Sequence, residues 1–179
     1  MTNLNDFIFL VIAGPSGSGK TTLADSLVEN YPSRFYKVKQ VTTREMRDDE
    51  KASTYVWMRK RDFKGINHLL FAHTNINGEY YGSIPPTNDK IYKCGIIILN
   101  EEGFNNFKKD VLRENYFSIG LNLPFNNLNK REERTQEYVE NEYKVLEMCD
   151  QVLTPRFGKF VEPVEVIEIM EDYYESIKK

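Results

Sequence analysis

The chain has 179 residues, 40% hydrophobic and 28% charged, the usage of an ordinary globular protein rather than a disordered one. With 24 Lys and Arg against 27 Asp and Glu, the net charge is −3, which lacks the basic excess of a general nucleic-acid binder, so any anion site must be local. The two cysteines, Cys94 and Cys149, are too few for a disulfide framework, and the longest apolar run falls far short of the roughly 20 residues of a membrane span.

Met1 to Asp6 has no basic stretch of the secretory kind, so the expectation is one soluble, cytoplasmic domain with no membrane or nucleic-acid partner. Phe7 to Ala13 is a continuous apolar run, as expected of a strand buried on both faces in a parallel sheet. Leu23, Leu27 and Val28 then recur at helical spacing over Thr21 to Tyr31, and Pro32 ends the pattern. Residues 36 to 83 break this rhythm with short strand-like pieces at Tyr36–Val41, Tyr55–Met58, Leu69–Thr74 and Glu79–Tyr81, the last two separated by the turn formers Asn75, Asn77 and Gly78. A small antiparallel insertion over 36–83 is expected, set into a core of 1–35 and 84–179. Further strands are expected at Gly95–Leu99, Tyr116–Leu123 and Gln151–Leu153. Helices are expected at Glu101–Leu112, Asn126–Met148 and Val164–Ile177. This alternation predicts an α/β fold, a mostly parallel sheet covered by helices on both faces.

Gly14-Pro15-Ser16-Gly17-Ser18-Gly19-Lys20-Thr21 fits G-x-x-x-x-G-K-[ST] at every fixed position. The glycines let the backbone wrap a phosphate, because positive φ costs them little and no Cβ blocks close approach. Inward-pointing N–H groups and the following helix N-terminus favour an anion. Gly14, Ser16, Gly17, Ser18, Gly19, Lys20, Thr21 and Thr22 are therefore the candidate ATP-phosphate site. Lys20 is a point charge for the β and γ phosphates, and the Thr21 hydroxyl a ligand for Mg²⁺. The competing reading, a Gly/Ser turn matching by chance, sits poorly with a buried-strand pattern before the loop and a helical one after it.

That loop, followed by Thr42-Thr43-Arg44-Glu45-Met46-Arg47, Tyr55-Val56-Trp57 and Gly78-Glu79-Tyr80-Tyr81-Gly82-Ser83, resembles the guanylate kinase family in order and spacing. The resemblance spans residues 7 to 112 and, more loosely, extends to 153. It implies a P-loop kinase whose insertion forms the acceptor site, with Arg44, Arg47, Tyr55 and Tyr81 gripping the acceptor phosphate and Ser83 in its family place. Two arginines three apart can converge on one dianion by forked donation, and tyrosine hydroxyls add neutral donors. Against this, the run from Arg44 to Lys51 also reads as a solvated charged loop. One of Tyr80 and Tyr81 is expected to be sheet packing.

The departures from the family pattern concern the acceptor. Gln40 stands where the family has a guanine-reading Ser, and Ala72 where it has a Glu pairing with the guanine edge; a hydrogen bond to such a charged group is worth roughly 1.5–3 kcal/mol. His73 reads as an ordinary histidine. Ile98 and Asn100 replace an Asp-x-Asp pair at a strand end, leaving Asn100, Glu101 or Glu102 as substitutes, although acids there also suit a helix N-terminus. Pro124 to Arg131 resembles the lead-in to the family's lid, which is shortened here. Arg131 and Arg134 fall on one helix face and are candidate clamps on the transferring phosphoryl group, or else members of a solvated face with Glu133 and Glu137. Thr154-Pro155-Arg156 is a positional candidate for the adenine contacts.

The resemblance implies ATP-dependent phosphoryl transfer to a nucleoside monophosphate, GMP or dGMP first. A kinase acting on ribose 1,5-bisphosphate and a non-catalytic binding module of the same fold are the competing readings.

Overall fold

The computed structural model describes residues 8–48, 50–122, 143–155 and 159–177. Five parallel strands form the main sheet, in the order β2 (Phe35–Lys37), β7 (Cys94–Ile98), β1 (Phe9–Ala13), β8 (Tyr116–Leu121) and β9 (Gln151–Leu153). β1 is central, paired with β7 on one side and β8 on the other. Its side chains alternate between two cores. Leu10 and Ile12 enter a cluster with α1 (Lys20–Asn30) and α4 (Pro163–Ile177), whereas Phe9, Val11 and Ala13 enter one with α3 (Glu101–Asp110). This is why the run carries no polar residue: both faces of the strand are covered. Burial of each Phe or Ile side chain is worth about 1.5–3 kcal/mol.

The second sheet is mixed. Its order is β4 (Val56–Trp57), β3 (Gln40–Thr42), β6 (Glu79–Ser83) and β5 (Phe71–Ile76), antiparallel except for the short parallel β3–β4 pair. The expected strand Tyr36–Val41 is divided. Phe35–Lys37 joins the edge of the main sheet, Val38 is buried in the α3-side core, and the chain enters the second sheet at Gln40. Between β4 and β5 lies α2 (Lys60–Ile66), which the sequence reading did not anticipate. Its one buried residue, Phe63, joins Val41 and Leu70 in a small separate core.

α3 couples the sheets. Asn100 Oδ1 accepts from the Gly103 N–H (2.9 Å) as its N-cap, Glu101 and Glu102 occupy its first turn, and Lys108 and Lys109 its last, all matched to the helix dipole. Glu102 Oε2 accepts from Thr74 Oγ1 (2.6 Å) and the Asn75 N–H (3.0 Å), and Asp110 accepts from the Ala72 N–H (3.2 Å). α3 ends at Asp110, before the expected Leu112. Of the expected helix Asn126–Met148, residues 126–142 lie outside the described residues, and Val145–Met148 form a 3₁₀ turn.

Candidate functional site

The phosphate loop leaves the C-terminal end of the central strand, where chain connections diverge to the two sides of the sheet; ligands of open α/β sheets bind at such a point. Gly14 (φ +136°), Gly17 (φ +85°) and Gly19 (φ +86°) hold the reversals. Gly14 is the most constrained, since a Cβ there would lie 2.4 Å from the Leu121 carbonyl oxygen on β8. A turn from the Ser18 N–H to the Pro15 carbonyl (3.1 Å) closes the loop, and Gly19 delivers the chain into α1. Lys20 Nζ donates to the Gly14 and Pro15 carbonyls (2.8 and 2.7 Å), which lays the ammonium across the loop mouth. Ser18 Oγ is buried with no hydrogen-bond partner among the described residues, while Thr21 and Thr22 expose their side chains on the first turn of α1. Polar, glycine-shaped and cationic, this donor set fits a polyphosphate.

Across from it stands the second sheet. Arg44 Nη2 donates to both carboxylate oxygens of Glu50 (2.6 and 2.8 Å) and Nη1 to the Glu45 carbonyl (2.6 Å), and the guanidinium lies 5.8 Å from the Tyr55 ring centroid. Glu50 also accepts from the Arg47 N–H (2.9 Å), which orders the turn between the two arginines. Burial disfavours charge on both Arg44 and Glu50, but their mutual hydrogen bonds and attraction outweigh it, raising the Arg44 pKa and lowering that of Glu50. Burial pushes the Tyr55 hydroxyl up, so it remains a neutral donor. Tyr55 meets Tyr81 edge-on at 6.2 Å between centroids. Tyr80, on the opposite face of β6, stacks on Phe63 at 5.5 Å. Of the two adjacent tyrosines, Tyr80 is thus the packing residue and Tyr81 the one facing Arg44.

One cleft of about 680 Å³ joins these groups, and Gly14, Ser16 and Lys20 line it together with Arg44, Arg47, Tyr55 and Tyr81. Glu50, Gln40, Ala72, Thr74, Asn100, Glu101 and Glu102 lie along the same walls. Ser83 does not. It is fully buried, its Oγ accepting from Gln40 Nε2 (3.4 Å), and Gln40 reaches the cleft in its stead while also donating to the Ile98 carbonyl (3.3 Å). Ala72 sits at φ +52°. Asn100 and Glu102 serve as the cap and tie of α3, which leaves Glu101 as the exposed acid on that side. Among the described residues no group of three or more His, Cys, Asp or Glu is placed to hold a metal ion. His73 Nε2 donates a hydrogen bond to the Asn67 carbonyl (2.7 Å), an ordinary structural role. Arg131, Arg134 and Arg156 lie outside the described residues. Glu50 was missed from the sequence, because a run of alternating charges does not reveal which acid pairs with which base.

Over residues 8–177 the chain matches the family model for guanylate kinase. It belongs to the guanylate kinase family. Among curated members, it is 31% identical over 124 residues to the guanylate kinase of Anaplasma phagocytophilum (strain HZ), covering 65% of this chain and 58% of that one. It is 36% identical over 98 residues to that of Chlamydia felis (strain Fe/C-56), covering 51% and 48%. These matches span about half to three fifths of the length of the curated guanylate kinases. The crystal structure of guanylate kinase from Anaplasma phagocytophilum superposes with a TM-score of 0.67 at 22% identity, covering 95% of this chain and 85% of that one, which shows a common fold. No helix among the described residues is long and apolar enough to cross a membrane.

Proposed function

We propose that this guanylate-kinase-family protein transfers the terminal phosphoryl group of ATP to a nucleoside monophosphate, with GMP or dGMP as the first acceptors. The observation that supports this most is the single cleft lined at one end by the glycine loop and Lys20 and at the other by Arg44, Arg47, Tyr55 and Tyr81. Phosphoryl transfer asks little covalent chemistry of a protein; it needs two phosphates held in line, their charge neutralised and water excluded. Gly14, Ser16 to Gly19, Lys20, Thr21 and Thr22 hold the donor phosphates, with Lys20 on the transferred group. The Thr21 hydroxyl would hold Mg²⁺, which would supply neutralisation of phosphate charge and rarely needs an all-protein cage.

The segment 36–83 acts as the acceptor unit. Glu50 fixes the guanidinium of Arg44 by accepting from Nη2 with both carboxylate oxygens, and the Glu45 carbonyl accepts from Nη1; the remaining N–H groups are offered to Tyr81 and the acceptor phosphate. Tyr55 and Tyr81 add neutral donors, and Arg47 brings a second charge to the mouth. The acceptor base is directed toward Gln40 and Ala72, where an amide stands in place of the family's Ser and a methyl group in place of its ionised Glu. Arg131 and Arg134 are assigned the clamp on the transferring group. Initial rates with ATP, Mg²⁺ and a panel of GMP, dGMP, AMP, UMP, dTMP and ribose 1,5-bisphosphate test the proposal. Turnover of one or more monophosphates is expected; turnover of the sugar bisphosphate alone, or of none, would reject it.

A further inference from the structure

Just ahead of α4, residues 159–162 bring the chain beside the phosphate loop. Val161 anchors this stretch, buried in the core cluster that contains Leu23, Ala24 and Leu27 of α1. Its neighbour Phe160 takes the opposite direction. It is 65% exposed, although it is a large apolar residue one position from a core anchor. Its ring lies beside Gly19, whose absent Cβ would stand 3.2 Å from Phe160 Cδ1 and 3.5 Å from Cε1. An aromatic ring is therefore held by a pinned backbone with one edge against the last glycine of the loop and the rest of its surface open. Core packing does not explain that exposure, and neither does any role assigned above.

We propose that Phe160 is the stacking platform for the base of the phosphate donor. The inference rests on the phosphate-loop reading and extends it from the polyphosphate to the nucleoside. A nucleotide whose phosphates occupy the turn at Gly17 to Lys20 places its sugar and base at the rim of that turn, on the C-terminal edge of the sheet where β9 also ends. Among the described residues, Phe160 lies beside the loop at that rim. An aromatic ring recognises the face of a base through stacking and dispersion, whereas inorganic polyphosphate offers it nothing to stack on. Gly19 contributes twice: its φ of +86° turns the loop into the helix, and its lack of a side chain lets the ring lie close beside the phosphate turn.

Calorimetric binding of ATP and of inorganic tripolyphosphate, each with Mg²⁺, to the wild type, Phe160→Ala and Phe160→Trp tests this. The alanine variant is expected to lose about tenfold or more in ATP affinity while tripolyphosphate affinity stays within about twofold, and the tryptophan variant to retain ATP binding. Equal losses for the two ligands would overturn the inference, because the ring would then only prop the loop at Gly19; so would an alanine variant with unchanged ATP affinity. A wild type that binds neither ligand would overturn the phosphate-loop reading itself, and this inference with it.

Discussion

Replacing Glu50 with Gln tests the geometry of the acceptor end without touching the phosphate loop. Glu50 and Arg44 side chains are each only 16% exposed, and Arg44 Nη2 donates to both carboxylate oxygens, at 2.6 and 2.8 Å. Fully exposed ion pairs contribute about 0.2–1 kcal/mol, and breaking a fully buried one costs about 3–5. This half-sheltered pair, with a further hydrogen bond from the Arg47 N–H, is worth roughly 1–2 kcal/mol. For a chain of this length that is a fall of about 2–8 °C in Tm. Because the folded protein holds the Glu50 pKa below its ordinary value near 4.5, the pair stabilises above that value, and the contribution is lost as pH falls through the lower folded-state value. Wild-type and variant midpoints in urea should therefore differ at pH 7, and the gap should shrink as the pH falls below about 4.5. The acceptor KM should rise, since Arg44 loses its fixed orientation, while the affinity for ATP alone is unchanged. Equal stability at pH 7, or a gap that persists undiminished to pH 3, would refute the role given to this pair.

Other substitutions separate the two ends of the cleft. Gly14→Ala forces a Cβ to 2.4 Å from the Leu121 carbonyl at a φ of +136°, so a loss of about 3 kcal/mol or more and of ATP binding is expected by thermal melting and calorimetry. Tyr81→Phe should raise the acceptor KM about five- to tenfold by removing one hydroxyl donor, whereas Tyr80→Phe, altering a ring stacked on Phe63, should leave it within about twofold in initial-rate assays. Burial pushes the Cys94 and Cys149 thiols up to about 12, so neither should react with a disulfide reagent at pH 8 until the protein is unfolded; stoichiometric labelling of the native protein would contradict that.

The parts of the fold legible in the sequence are those where one local pattern has one physical solution. Phe9 to Ala13 and Cys94 to Ile98 have no polar alternation because both faces are covered, and the glycine loop between a buried strand and a helix admits few other geometries. The rest depends on partners distant in sequence. Tyr36–Val41 reads as one strand, yet its halves serve different sheets, because β7 and β6 compete for neighbouring stretches of backbone. α2 has one buried residue and an internal Gly65, too weak a periodicity to announce a helix. Alternation along β6 requires Tyr80 and Tyr81 to face opposite ways, but only the position of Phe63 decides which faces the cleft. Glu102 illustrates the same limit, for its carboxylate suits both a metal and a helix terminus, and Thr74 and Asn75 claim it across the sheet boundary. Phe160 was invisible for a simpler reason: nothing local distinguishes an exposed ring from a buried one.

The central claim is that one cleft holds the donor's polyphosphate and the acceptor's phosphate at once. A bisubstrate ligand, in which adenosine and guanosine are joined through a polyphosphate bridge, measures this most directly by calorimetry. One molecule per chain is expected, with Lys20→Ala and Arg44→Ala each weakening it about tenfold or more, since each removes a charged contact to the same bridge. Two molecules bound per chain, or an affinity indifferent to one of the two variants, would contradict the account.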